Sequence, residues 1–392
     1  MLWLLGALQV SLALRVLMRF LKTSGGQRIE SSDRHDADRA SIILPVLNEA
    51  SRITACLETL IAQPAQAAEI LVVDGGSSDG TQSIVERYHA RDRRVRLIDA
   101  SPVAESWSGK AWGLHVGLQN TAEQSDWILC VDADVRCSPL LVTSLLDHAK
   151  RTHIAAFSVA TSQSLQGTAA ALLHPALLTT WVYRFGVPGK ATRNLHAVQA
   201  NGQCFFARRD TLIRTAAVEA GQKSLCEDVT MARHLTEHGE AVGCYEADGL
   251  VRVTMYSTLQ ETWQNWPRSL PTRDQYFGWR EVTGLIEVLF VQALPLPFIV
   301  LCGFMTSLPT GFFLINQFLL LMRLGVLFGV SRAYEPRPWS YWFSPLLDLP
   351  VAVRLIVSAL RRRQSWRGRV YLRQPGGIFE PTRNSPSLSW RR

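Results

Sequence analysis

Neither a C-x-x-C pair nor any regular cysteine spacing occurs in this 392-residue chain. Its seven cysteines, at 56, 130, 137, 204, 226, 244 and 302, are odd in number and scattered. That pattern excludes a disulfide framework and a zinc ribbon, and points to reduced thiols in a cytosolic setting. A Walker loop is excluded because Ala104 stands where G-x-x-x-x-G-K needs its first glycine. An EF-hand is excluded because Arg136 and Cys137 occupy positions reserved for an acid or amide and then glycine. The first apolar run has no basic segment before it and no A-x-A site after it, so a cleaved signal peptide is not expected. No internal repeat and no nucleic-acid reader motif stands out, and nucleic acid is not expected as a partner.

What is present divides into three kinds of text. Lys and Arg outnumber Asp and Glu by 41 to 33, a net +8 that suits an anionic partner: a phosphorylated metabolite or lipid headgroups. Residues 1–22 are apolar apart from Arg15, Arg19 and Lys22, and read as a retained anchor or interfacial helix; 23–40 read as a polar linker. From 41 to 280, apolar runs ("SIIL", "EILVV", "VRLI", "WILCV") alternate with helical patterns, which predicts a doubly wound α/β sheet. Ser138 and Pro139 are predicted as N-cap and N1 of the helix after "WILCVDADVRC". Residues 281–360 hold two stretches long enough to span a bilayer, 282–304 and 311–330, and a third, interrupted one expected to be re-entrant or interfacial. Glu287 and Arg323 fall inside the spans; since a mid-bilayer charge costs about 2.5–3.5 kcal/mol, they are expected to face protein or reach an interface. Arginines 268, 273, 280, 332 and 337 flank the spans, so the sheet domain is expected to be cytoplasmic, on a multi-pass protein of the inner (plasma) membrane. Residues 361–392 read as a basic cytoplasmic tail.

In open α/β sheets ligands gather beyond the carboxyl ends of the strands. Three groups of unusual residues fall there: Pro45 to Glu49, Asp74 to Asp79, and Asp132 to Asp134. Asp132 and Asp134 are two apart on an extended chain and can face one ligand. Such a pair suits a hard divalent ion, Mg2+ or Mn2+, shared with a phosphate; the alternative is one aspartate capping a helix and one in solvent. Asp74 sits in "VDGGSSDGT", whose glycines let backbone approach a ligand; turn chemistry alone also explains them. Lys110 stands at a helix start, where an ammonium, backbone donors and the dipole can hold a diphosphate. Glu227 and Asp228 are either functional carboxylates or acids favoured by a helix dipole.

Taken together, "PVLNE", "VDGGSSDGT", "SGKAWG", "DAD", "NGQCFFARRD" and "CEDVTMARHL" resemble the inverting family 2 glycosyltransferases with a GT-A fold, over roughly residues 40 to 270. The resemblance implies a GT-A mixed sheet with appended C-terminal transmembrane helices. It implies that Pro45, Val46, Leu47 and Glu49 bracket the nucleoside, that Asp74 touches the base, and that Lys110 holds the diphosphate. Asp132 and Asp134 would hold the nucleotide-sugar donor and its metal, and Asp228 would be the catalytic base. Where processive and ceramide-type relatives carry Q/R-x-x-R-W, this chain has "QNWPRS"; Arg268 is still expected to reach the diphosphate, but a polymerising synthase is disfavoured. "SWSGKAWGL" and the apolar last third look most like transferases acting on carotenoid- or hopanoid-type lipids, such as xanthophylls, which implies a lipid acceptor arriving through the bilayer.

Three other readings stay open. The acceptor is a polyprenyl phosphate rather than an alcohol. The chain is a non-catalytic, membrane-anchored binding module. Or Gly76-Ser77-Ser78-Asp79-Gly80 is a hydrolase elbow, with Ser78 as nucleophile and His196 or His234 as base.

Overall fold

The computed structural model describes residues 2–34, 37–165, 167–247, 249–254, 258–269, 274–304, 310–366, 369–375 and 377–382. The strands follow in chain order as β1 (Ala40–Val46), β2 (Ala67–Asp74), β3 (Val95–Asp99), β4 (Trp127–Val131), β5 (Val135–Cys137), β6 (Ala156–Ala160), β7 (Ser162–Gln163), β8 (Lys190–Thr192), β9 (Cys204–Arg208), β10 (Val242–Glu246) and β11 (Val251–Val253). Eight of them form one mixed sheet in the order β3-β2-β1-β4-β9-β6-β10-β8. The half β3-β2-β1-β4 is parallel; β9 runs antiparallel to both β4 and β6. The four predicted strands are the parallel half. β1, β2 and β4 are almost wholly buried because helices cover both faces, so they read as continuous apolar runs without alternation.

Parallel register brings the functional strand ends together. Val46 pairs with Asp74, and Ile43 with Cys130, so the loops leaving β1, β2 and β4 emerge at one edge. Hydrogen bonds join the first two loops: Asn48 N–H to Ser77 Oγ (2.8 Å), Ser78 N–H to Asn48 Oδ1 (2.9 Å), and Ala50 N–H to Asp79 Oδ2 (2.9 Å). The helix Gly109–Gln119 lies close on this half. A Cβ on Gly113 would stand 2.9 Å from Pro45 Cβ, and one on Gly117 2.5 Å from Ile43 Cγ2. Only glycine permits that approach, and it brings the first helical turn over the strand ends.

Three expectations need correcting. The helix after β5 is Leu141–Thr152, with Leu140 as N-cap; Ser138 is instead held by its N–H to the Leu250 carbonyl (2.8 Å), which delays the helix by two residues. Residues 23–40 are more than a linker: Ile29 is buried in the core and its N–H bonds Glu246 at the sheet (2.8 Å). The last segment is more than a tail: Arg363–Trp366, Arg369–Arg373 and Phe379–Pro381 form a small antiparallel sheet, anchored by Phe379 N–H to Lys223 O (2.8 Å) and by Lys223 to Glu380 (2.7 Å).

Among the described residues, four helical segments are long and apolar enough to cross a membrane: Leu2–Thr23, Trp279–Cys302, Thr310–Ala333 and Trp339–Leu360. Their outward faces carry exposed Trp3, Leu21, Leu301, Leu321, Phe328 and Trp339. Glu287, Arg323 and Asp348 inside them turn inward. Glu287 is fully buried and accepts from Arg15 and Arg19, each at 2.8 Å. Arg323 is fully buried and meets Asp348 at 2.8 and 3.0 Å, while Gln292 bonds the same carboxylate at 3.0 Å. A buried charge persists only when paired, and these are.

Candidate active site

A cavity of about 650 Å3 opens at the carboxyl ends of β1 and β4, a size suited to a small ligand or cofactor. Pro45, Val46, Leu47 and Glu49 line it from β1 and its loop, and Lys110, Asp132, Asp134 and Asp228 line it from three further elements. Lys110, at the second residue of its helix, bridges two of them: its Nζ lies 2.8 Å from Asp132 Oδ1 and 2.9 Å from Glu227 Oε1. Glu227 and Asp228 open the helix Glu227–Glu237. Asp228 Oδ2 accepts the N–H of Gly202 at 2.6 Å. A Cβ on Gly202 would come within 2.9 Å of Lys110 Nζ and 3.1 Å of Asp228 Cβ, so only a glycine lets the backbone donor this close.

The electrostatics follow from that crowding. Burial would lower the Lys110 ammonium, but the carboxylates of Asp132, Glu227 and Asp228 outweigh it and hold the group above its ordinary value. Burial, reinforced by the neighbouring Glu227 charge, pushes Asp228 up to about 7; Lys110 and the Gly202 N–H oppose the rise. Burial and then the Asp132 charge push Asp134 up to about 7 as well. Asp134 Oδ1 is buried and has no hydrogen-bond partner. That orphan oxygen beside a second carboxylate fits a bound cation. Among the described residues, no group of three or more His, Cys, Asp or Glu side chains is placed to hold a metal alone, so an ion here would complete its shell with water or ligand oxygens.

One expected residue, Asp74, sits beside the cavity rather than on its wall. Asp74 is 1 % exposed and does not line the cavity. Its carboxylate accepts from Ser77 N–H (2.9 Å), Ser77 Oγ and Gln82 Nε2 (2.6 Å), shaping the loop that brings Gly75 to the cavity. The Arg268 side chain lies outside the described residues. The hydrolase geometry does not form. Ser78 stands exposed outside the cavity, while His196 bonds Glu281 (2.9 Å) and His234 lies 2.8 Å from the Thr215 carbonyl.

Sequence reasoning missed Gly202 and Gln203, both inside the quoted "NGQCFFARRD", as well as His174 and Tyr371. All four line the cavity. Tyr371 comes from the C-terminal sheet, and nothing in its local sequence signals a return over 140 residues to the Cys226–Asp228 segment.

This arrangement sets a lysine among acids at the switch point of a mixed sheet, with glycines placed for close backbone approach. Residues 41–215 match the family described as glycosyl transferase family 2. The succinoglycan biosynthesis protein ExoA of Rhizobium meliloti is 30% identical over 147 residues, 36% of this chain and 42% of that protein. The glycosyltransferase AglE of Haloferax volcanii is 32% identical over 101 residues, 25% of this chain and 31% of that one. The chain thus spans less than half the length of these curated relatives. Among solved structures, the mannosyltransferase PcManGT of Pyrobaculum calidifontis, in complex with GDP-Man and Mn2+, superposes with a TM-score of 0.52 at 17% identity, covering 90% of this chain and 99% of that one. The fold is therefore GT-A, with apolar helices appended.

Proposed function

We propose that the chain is an inverting glycosyltransferase that moves a sugar from a nucleotide-sugar donor to a hydroxyl of a membrane lipid. The observation that carries this reading is the Asp132–Lys110–Glu227 bridge with Asp228 beside it, in one cavity that continues to the apolar helices. The match over residues 41–215 and a structural neighbour captured with GDP-Man and Mn2+ support it.

Pro45, Val46, Leu47 and Glu49 would bracket the nucleoside, and Asp74 would act through the loop it orders. Lys110, and Arg268 where it reaches, would meet the diphosphate. Asp132 and Asp134 fit a divalent ion, Mg2+ or Mn2+, which would offset the charge growing on the departing diphosphate. Asp228 would accept the acceptor hydroxyl's proton as that oxygen bonds the anomeric carbon and the bond to the diphosphate oxygen breaks. One displacement inverts the anomeric centre. A base with a pKa near 7 suits this role, since a positioned base contributes about 10²- to 10⁴-fold. The Gly202 N–H holds Asp228 Oδ2 and so helps to orient the carboxylate.

For the acceptor, the apolar helices and the exposed belt favour a lipid, with the carotenoid- or hopanoid-like alcohols of the sequence resemblance as the finer class. The basic flanks of the spans favour a cytoplasmic catalytic domain on an inner-membrane protein. The test incubates membranes containing the protein with a panel of nucleotide sugars and extracted lipids, then reads products by mass. A new neutral glycolipid one sugar heavier is expected. Products confined to polyprenyl phosphates, or no lipid product from any donor, would overturn the assignment.

A further inference from the structure

The cavity has a second arm beyond Asp228. One face of the helix Gly167–Phe185 supplies His174, Leu178, Trp181 and Val182, spaced so that all four point one way. Thr161, Gln163, Asn201 and Gln203 also line the cavity. They form an uncharged network. Thr161 Oγ1 donates to Gln203 Oε1 (2.7 Å), Gln163 Nε2 donates to Thr161 (2.9 Å), and Asn201 Nδ2 donates to the Val159 carbonyl (3.0 Å).

The network leaves two groups over. Gln203 Nε2 and His174 Nε2 are buried and have no hydrogen-bond partner, and their side chains belong to residues only 6% and 7% exposed. An unmet buried donor or acceptor is costly, so two on one cavity wall mark a place where a ligand can complete the bonding. Both are held in place. Gln203 is fixed by Thr161 through its carbonyl end, and His174 by Tyr334 Oη (3.0 Å at Nδ1) and by stacking on Trp266 at 4.3 Å between ring centres.

We infer that Gln203 and His174 recognise hydroxyl groups of an uncharged amphiphile in this arm, one end of it polar and the rest lying along the Leu178–Trp181–Val182 face. Burial pushes the His174 imidazole down to about 3, so it offers a neutral hydrogen-bonding edge and no cation. Lys110 is already committed to Asp132 and Glu227, and Arg52 lies 3.4 Å from Glu261, which leaves exposed Arg332 as the other cation on the wall among the described residues. The inference rests on the glycosyltransferase reading for what happens next, since it names the class of acceptor; the binding itself does not require that reading.

The test measures equilibrium binding of three probes to the full-length protein in detergent, without donor: monooleoylglycerol, oleyl alcohol and oleyl phosphate. The wild type is expected to prefer monooleoylglycerol over oleyl alcohol by about tenfold, the value of one to two hydrogen bonds. Gln203→Met and His174→Leu should each erase most of that preference, weakening oleyl alcohol, with its single hydroxyl, less than monooleoylglycerol. Gln203→Met keeps side-chain length and carries the test alone if His174→Leu does not fold. A preference retained in the folded variants, no preference in the wild type, or tightest binding of oleyl phosphate would overturn the inference. Binding of GDP-mannose and UDP-glucose is read separately, so loss of the glycosyltransferase reading shows as donor failure with the lipid preference intact.

Discussion

Gly202→Ala isolates the contact between the backbone and the proposed base. The φ of Gly202 lies outside the left-handed region, so alanine introduces no backbone strain there. The effect is confined to what the new methyl meets: Lys110 Nζ at 2.9 Å, Asp228 Cβ at 3.1 Å and Asp228 Cγ at 3.2 Å. Carbon atoms pack at about 3.5–4.0 Å, so Asp228 must retreat by roughly 0.3–0.9 Å. The lysine end is flexible and can swing, but the carboxylate is short and held by its helix. A reacting group misplaced by about 1 Å costs about 10²-fold, so kcat is expected to fall by about ten- to a hundredfold. The assay is turnover at saturating donor and acceptor, alongside melting temperature and donor affinity. A variant with unchanged kcat, or one whose loss tracks a collapse in melting temperature, would refute the reasoning.

Asp228→Asn should abolish transfer to an alcohol, read as glycolipid formed per minute; near-normal transfer would assign the base elsewhere. Because the Asp228 carboxyl is raised to about 7, it is protonated and idle below that pH, so wild-type kcat/KM should fall about tenfold per pH unit below about 7. An acid limb near 4 would contradict the placement of Asp228 in a desolvated, acid-flanked site. Arg323→Met strands Asp348 in the apolar interior and should cost about 3–5 kcal/mol of stability, seen as a lower melting temperature in detergent; adding Asp348→Leu should recover most of it. A double variant no more stable than the single one would mean the pair is not coupled as described.

Much of this was written in local sequence, and what was not has a common cause. β1, β2 and β4 were legible because strands covered on both faces must be apolar throughout, and the acids and glycines beyond their ends break that rule conspicuously. Glu287 and Arg323 were legible as facing protein or reaching an interface, because an unpaired charge in lipid is costly, and the fold takes the first course. The partners Arg15, Arg19 and Asp348 were not, since pairing across hundreds of residues leaves no periodic signal. Asp74 was ambiguous because an aspartate that orders a turn and one that grips a ligand share the same neighbours in sequence; the fold shows its carboxylate in four local hydrogen bonds. Gly202, Gln203 and His174 matter through gaps and unpaired atoms, which exist only once the chain is folded.

The most direct measurement of the central claim is calorimetric titration of GDP-mannose and UDP-glucose into the wild type and Asp134→Ala, each with Mn2+ and with EDTA. At least one donor is expected to bind the wild type with Mn2+, and to lose that binding both in EDTA and in the variant. Equal affinity with and without metal, undisturbed by Asp134→Ala, would contradict a donor held through the acids around Lys110.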